Sequence, residues 1–163
     1  MSTPLHPLIV HFPIALLFIG AVLQLGALWK QKLLNKMANV FLLLGWLSGI
    51  AAFMTGDGGE RYAKEVFGAE RSAIGIHETL AQITLLIFGL IVMIKFYQAF
   101  PRVSRLKKYA KYSFSKVFIP VLLILSLAGG ISVFLTGHYG GKLVYHESIP
   151  TNHSMNYLPS DHK

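Results

Sequence analysis

The chain has no cysteine. That excludes disulfides, thiolate metal sites and covalent haem attachment through Cys-x-x-Cys-His, while leaving the redox compartment open. Charge is scarce as well, at 13% of residues, and it is nearly missing from four stretches: Pro7 to Trp29, Met37 to Gly56, about Ala73 to Tyr97, and Val117 to Thr136. At 1.5 Å per residue each stretch can cross a hydrocarbon core of about 30 Å. None carries the charged stripe that a helix of a soluble bundle would turn to water. No Lys or Arg precedes Lys30, so the basic start of a secretory signal peptide is missing, and Pro7 to Trp29 is too long for its apolar region. The first helix is expected to remain in the mature protein.

Apolar residues make up 53% of the chain, and the mean hydropathy is +0.53. The composition is that of an integral membrane protein. Of the 15 Lys and Arg residues, ten fall on one face: Lys30, Lys32, Lys36, Lys95, Arg102, Arg105, Lys107, Lys108, Lys111 and Lys116. Basic residues in short loops stay on the cytoplasmic side, so both termini are expected outside. The net charge of +8 then reflects topology and anionic headgroups rather than nucleic acid binding. All seven acidic residues and all seven histidines fall on the outer face.

Proline fits the first turn of a helix but interrupts its interior, so the first helix starts between Pro7 and Pro13. The second carries Gly45, Gly49, Ala52 and Gly56, a spacing suited to close helix packing or to a flat ligand. Its end, GIAAFMTGDGGERY (Gly49 to Tyr62), resembles the end of the fourth, GISVFLTGHYGGKLVY (Gly130 to Tyr145), with one residue inserted before the second Gly-Gly pair. The chain reads as one transmembrane domain of two tandem helical hairpins. They cover residues 1 to about 70 and about 71 to 150, with a polar tail at 151–163, and are related by a pseudo-twofold axis along the membrane normal. His11 and His77 are then expected to be symmetry mates. A short amphipathic helix is expected within Asp57 to Arg71, and the basic, aromatic segment Phe100 to Lys116 suits the headgroup layer.

Five histidines, His6, His11, His77, His138 and His146, gather at the outer ends of the helices. Ionisable residues in membrane segments point to function. The leading expectation is haem b, held by axial imidazoles from facing helices. His11 and His77 are the first choice of ligands, followed by His138 and His146 and then His6, and the number of candidates leaves room for a second haem. Small residues one turn away, Ala15, Ala73 and Ala81, would admit a flat ring. Arg61, Arg71, Lys142, Tyr145 and the amides of Gly140 and Gly141 would meet propionates. The alternatives are a zinc, copper or iron site built from His11, His77, His138 and His146 with nearby carboxylates, and a non-catalytic assembly subunit of a respiratory complex. His77-Glu78 lacks the second histidine of His-Glu-x-x-His, and no nucleophile or phosphate-loop motif is present. An electron carrier is therefore favoured over a catalyst.

HPLIVHFPIALL near the start, His77 opening the third helix and TGHYGGKLVYH after the fourth resemble a bacterial membrane family known as domain of unknown function 2231. The resemblance covers nearly the whole chain and rests on His6, Pro7, His11, Phe12, Pro13, His77, Thr136, Gly137, His138, Gly140, Gly141, Tyr145 and His146. Glu147 departs from it, since Gly is common there. Relatives stand alone or are joined to cytochrome c-like domains. The resemblance therefore implies an electron-transfer setting: a lipid bilayer, and a membrane or periplasmic redox partner such as a c-type cytochrome. A homo-oligomer is compatible with the reading.

Overall fold

The computed structural model describes residues 5–29, 31–99 and 107–144, and the described residues form six helices and no strand. These are α1 (Leu5–Ile9), α2 (His11–Gly26), α3 (Gln31–Met54), α4 (Gly56–Phe67), α5 (Arg71–Ala99) and α6 (Lys107–Val144). Four segments have the length and hydropathy to cross a membrane: His6–Gly26, Lys32–Met54, Arg71–Gln98 and Phe118–Val144. α2 packs chiefly on α3 and α5 on α6, and the two hairpins meet through α2 with α6 and α3 with α5. The result is an up-down bundle with one end bearing histidines and the other lysines. Large apolar side chains such as Phe18, Leu44, Leu86 and Ile124 are exposed on its outside, as lipid requires.

Pro13 has no N–H to offer the carbonyl of Ile9, so one helical hydrogen bond is missing where α1 meets α2, while Val10 keeps right-handed helical dihedrals and the segment continues through it. Two of the expected boundaries move outward. α3 starts at Gln31 rather than near Met37, and α6 continues to Val144, eight residues past the expected end at Thr136. The second copy of the TG-x-x-G stretch is therefore helical throughout, and the first is helical from Gly56, with Thr55 as the cap between α3 and α4. Gly56–Phe67 is the expected amphipathic helix, ended by Gly68 at φ 63, a left-handed conformation that glycine adopts without a Cβ clash.

The core is a layer of Leu17, Ala21, Ala38, Leu42, Phe88, Ile91, Leu122 and Val133. Glycines set the helix spacing around it. A Cβ on Gly20 would lie 2.8 Å from Leu42 Cδ2, and one on Gly45 would lie 2.8 Å from Leu17 Cδ2 and 3.0 Å from the Leu17 backbone nitrogen. Gly45→Ala must push two backbones apart, and it is expected to destabilise the bundle by about 1–3 kcal/mol, read as a lowered thermal midpoint in detergent. On the histidine side of this layer, Thr84 Oγ1 bonds Ser132 Oγ at 2.6 Å and Thr136 Oγ1 at 3.0 Å, all three buried. The carbonyls of Leu80 and Ser132 one turn back compete for the single protons of Thr84 and Thr136, which is how membrane helices satisfy hydroxyls without water.

Candidate functional site

His6 and His77 sit in the same kind of receptor. His6 Nδ1 lies 3.0 Å from the carbonyl of Ala52 and 3.0 Å from Thr55 Oγ1, while Thr55 gives its own proton to the Ala52 carbonyl at 2.7 Å. His77 Nδ1 lies 3.1 Å from the carbonyl of Thr136. A carbonyl only accepts, so Nδ1 carries the proton in both rings and donates it. Neither Nε2 is hydrogen-bonded among the described residues, so its lone pair is available in the neutral ring.

A glycine lies against each ring. A Cβ on Gly59 would stand 2.8 Å from His6 Cδ2, and one on Gly140 would stand 2.9 Å from His77 Cε1. Gly59 follows Thr55 by four residues, and Gly140 follows Thr136 by four, so each threonine and its glycine share one face of a helical turn. The two copies thus align as Thr-Gly-Asp-Gly-Gly (Thr55–Gly59) and Thr-Gly-His-Tyr-Gly (Thr136–Gly140) with no insertion, a correction to the gapped alignment that the Gly-Gly pairs suggested. The counterpart of His77 is accordingly His6, and the expected symmetry of His11 with His77 is replaced by that of His6 with His77.

His11 lies apart from this arrangement. Its ring is exposed and its Nδ1 donates to the carbonyl of Pro7, one turn earlier on its own segment, at 2.8 Å. Five residues after His6, it lies about 140° round the helical segment from it. His138 is exposed as well, with its ring parallel to Phe134 at 6.4 Å and edge-on to Tyr139 at 5.6 Å. Two residues beyond Thr136, it lies about 200° round α6 from the face that meets His77. Tyr145 and His146 lie outside the described residues.

Arg61 and Arg71 are exposed on and beside α4. Glu60, on the same helix, is held below the usual carboxylate range by a hydrogen bond from Lys64, by the lysine's charge and, to a smaller extent, by the charge of Arg71. α4 covers the histidine end through Gly59 on His6 and through Ala63, in a small apolar cluster with Ala69, Ile74 and Leu143. The threonine-glycine receptors were visible in the sequence as a repeated motif, but their histidine partners were not. A hydrogen bond from Nδ1 to a main-chain carbonyl leaves no residue-type signature on its acceptor.

Among the described residues no three or more His, Asp or Glu side chains are placed to share a metal ion. Two imidazoles, each with Nδ1 committed to a carbonyl and Nε2 without a partner among the described residues, fit the donor set that a haem asks for, and Gly59 and Gly140 let the rings lie where a Cβ would stand.

No curated protein and no solved structure is significantly similar to the chain. A family profile described as "Predicted membrane protein (DUF2231)" matches residues 2–153. With four apolar helices of membrane-spanning length and a match over nearly its whole length, the chain is a multi-pass membrane protein that belongs to the DUF2231 family.

Proposed function

We propose that the protein holds one b-type haem at the histidine end, between His6 and His77, and passes electrons there. The observation that carries this reading is the matched pair of Nδ1–H to carbonyl hydrogen bonds. Metal-ligating histidines almost always donate their second ring nitrogen to a carbonyl or carboxylate, which fixes the tautomer and aims the other nitrogen. A haem asks the protein for two ligands, whereas a closed zinc site asks for four. With two tethered imidazoles and no third His, Asp or Glu beside them among the described residues, haem is the better match, and a bare transition-metal ion is the second reading. Bound haem iron would supply a one-electron couple. The protein's part is to fix both rings, to shield them under α4 and to offer Arg61 and Arg71 to the propionates.

The lysine-rich loops favour a bacterial inner membrane with the histidine end periplasmic. The electron partners would then be a membrane donor and a periplasmic acceptor such as a c-type cytochrome. An absorption spectrum of protein purified from haem-replete cells tests the proposal. A Soret band with a sharp α band on dithionite reduction is expected; a colourless protein overturns it. Stoichiometric zinc, copper or non-haem iron would favour the second reading, and a colourless, metal-free protein would leave the histidines as interhelical clamps of an assembly subunit.

A further inference from the structure

In the half of the apolar core nearer the lysine end lies a second polar layer, remote from the histidines. Lys95, on α5, is 7% exposed, and its Nζ donates to Asn35 Oδ1 at 2.8 Å and Asn39 Oδ1 at 2.5 Å, both on α3. Gln24 on α2 is 7% exposed and Ser126 on α6 is fully buried, yet Gln24 Oε1 and Ser126 Oγ have no hydrogen-bond partner.

Helix register brings these groups to one level. A Cβ on Gly130 would lie 3.9 Å from that of Ala21, and one on Gly137 would lie 3.8 Å from Ile14 Cδ1, so α2 and α6 run antiparallel with Ala21 opposite Gly130. Gln24 lies three residues from Ala21 toward the lysine end, and Ser126 four residues from Gly130 in the same direction. At 1.5 Å per residue their heights agree within ~2 Å. The pairing of Gly20 with Leu42 and of Gly45 with Leu17 sets the register of α3 against α2, and it brings Asn39 to the height of Gln24 as well. Lys95 Nζ, bonded to Asn39, joins the same layer.

The chemistry of the orphaned atoms selects their ligand. Gln24 Oε1 is an acceptor and needs a donor, which a simple anion cannot be. A metal cation would be accepted by Gln24 Oε1, but it would stand beside protonated Lys95, which already holds both asparagine oxygens. A neutral molecule that both donates and accepts satisfies Gln24 and Ser126 together and is tolerated by Lys95. The smallest such molecule is water, which typically makes about three hydrogen bonds in a buried site. We infer that Gln24 and Ser126 form a built internal water site, bridging α2 to α6 within the Lys95 layer. It would make this layer a hydrated polar girdle within the lysine-side half of the apolar core, with Ala38 and Leu122 beyond it.

Thermal midpoints of Gln24→Met, Ser126→Ala and the double variant, in lipid nanodiscs, test the inference. If water bridges the two side chains, each single change lowers the midpoint, and the double variant falls no further than the worse single one, because the bridge is lost once. If the atoms are unbridged, Ser126→Ala removes an unpaired buried hydroxyl and leaves the midpoint unchanged or raises it. That result, or strict additivity, overturns the inference. Should the variants fail to accumulate, a high-resolution density map of the wild-type protein decides. Solvent density within hydrogen-bond distance of both Gln24 Oε1 and Ser126 Oγ supports the bridge, and empty density there, in a map resolving other internal waters, refutes it.

Discussion

Alanine at His6 or at His77 is expected to abolish the low-spin haem spectrum, and alanine at His11 to leave it intact. The asymmetry follows from the tethers. His6 and His77 donate Nδ1–H across to the other long helix of their own hairpins, to the carbonyls of Ala52 and Thr136, so each imidazole is fixed by an element other than its own. His11 donates within its own segment, to Pro7, and faces outward. If the two histidines hold haem as proposed, removing either would leave the iron one imidazole short, which the reduced spectrum would report as loss of the sharp α band. The support can be probed without touching a ligand. Thr55 Oγ1 accepts from His6 while donating to Ala52, and Thr55→Val deletes that acceptor while keeping the shape of the side chain. Loss of an outer-shell partner of this kind typically weakens metal affinity by about 10–100-fold, so Thr55→Val is expected to retain the spectrum but release haem more readily to an apo-globin scavenger. Loss of the α band in His11→Ala with its retention in His6→Ala would reverse the assignment of the pair.

The four spans were legible in the sequence because lipid imposes one requirement on every residue of a span, and that requirement is written in composition. The helical continuation of α6 through Thr136–Val144 was not. Thr-Gly-His-Tyr-Gly-Gly carries three glycines, which read as a loop when propensity is the only guide. In the folded bundle Gly140 is there because a histidine ring occupies the place of its Cβ, so tertiary contact overrides the local preference. The choice of His11 over His6 rested on pairing the two hairpins by their opening histidines, and sequence could not show that the His6 ring reaches the carbonyl of Ala52 while the His11 ring bonds back to Pro7. The internal repeat was legible as a pattern of small residues, but its true register needed the contacts of Gly59 and Gly140, because two adjacent glycines align equally well one residue apart.

The pair of adjacent glycines in each copy gives the sharpest separation of packing from propensity. Gly140→Ala is expected to destabilise the bundle, and Gly141→Ala to stabilise it slightly. A Cβ on Gly140 would stand 2.9 Å from His77 Cε1 and 3.1 Å from its Nδ1, the atom that binds the Thr136 carbonyl, whereas a Cβ on Gly141 meets nothing within 4 Å. Both residues are helical. Alanine therefore recovers the same backbone term of about 0.5–1 kcal/mol at either site, and only position 140 sets against it the overpacking cost of about 1–3 kcal/mol. The first copy repeats the experiment, since a Cβ on Gly59 would stand 2.8 Å from His6 Cδ2 and one on Gly58 meets nothing within 4 Å. Thermal midpoints of the four alanine variants should fall for Gly59 and Gly140 and hold or rise for Gly58 and Gly141. If His6 and His77 hold haem as proposed, the two that fall should also lose its low-spin spectrum, because a ring pushed by a methyl group away from its carbonyl would lose the tether that fixes it. Equal midpoints across all four would show that the rings yield without cost, and would remove the physical basis for treating His6 and His77 as a preorganised pair.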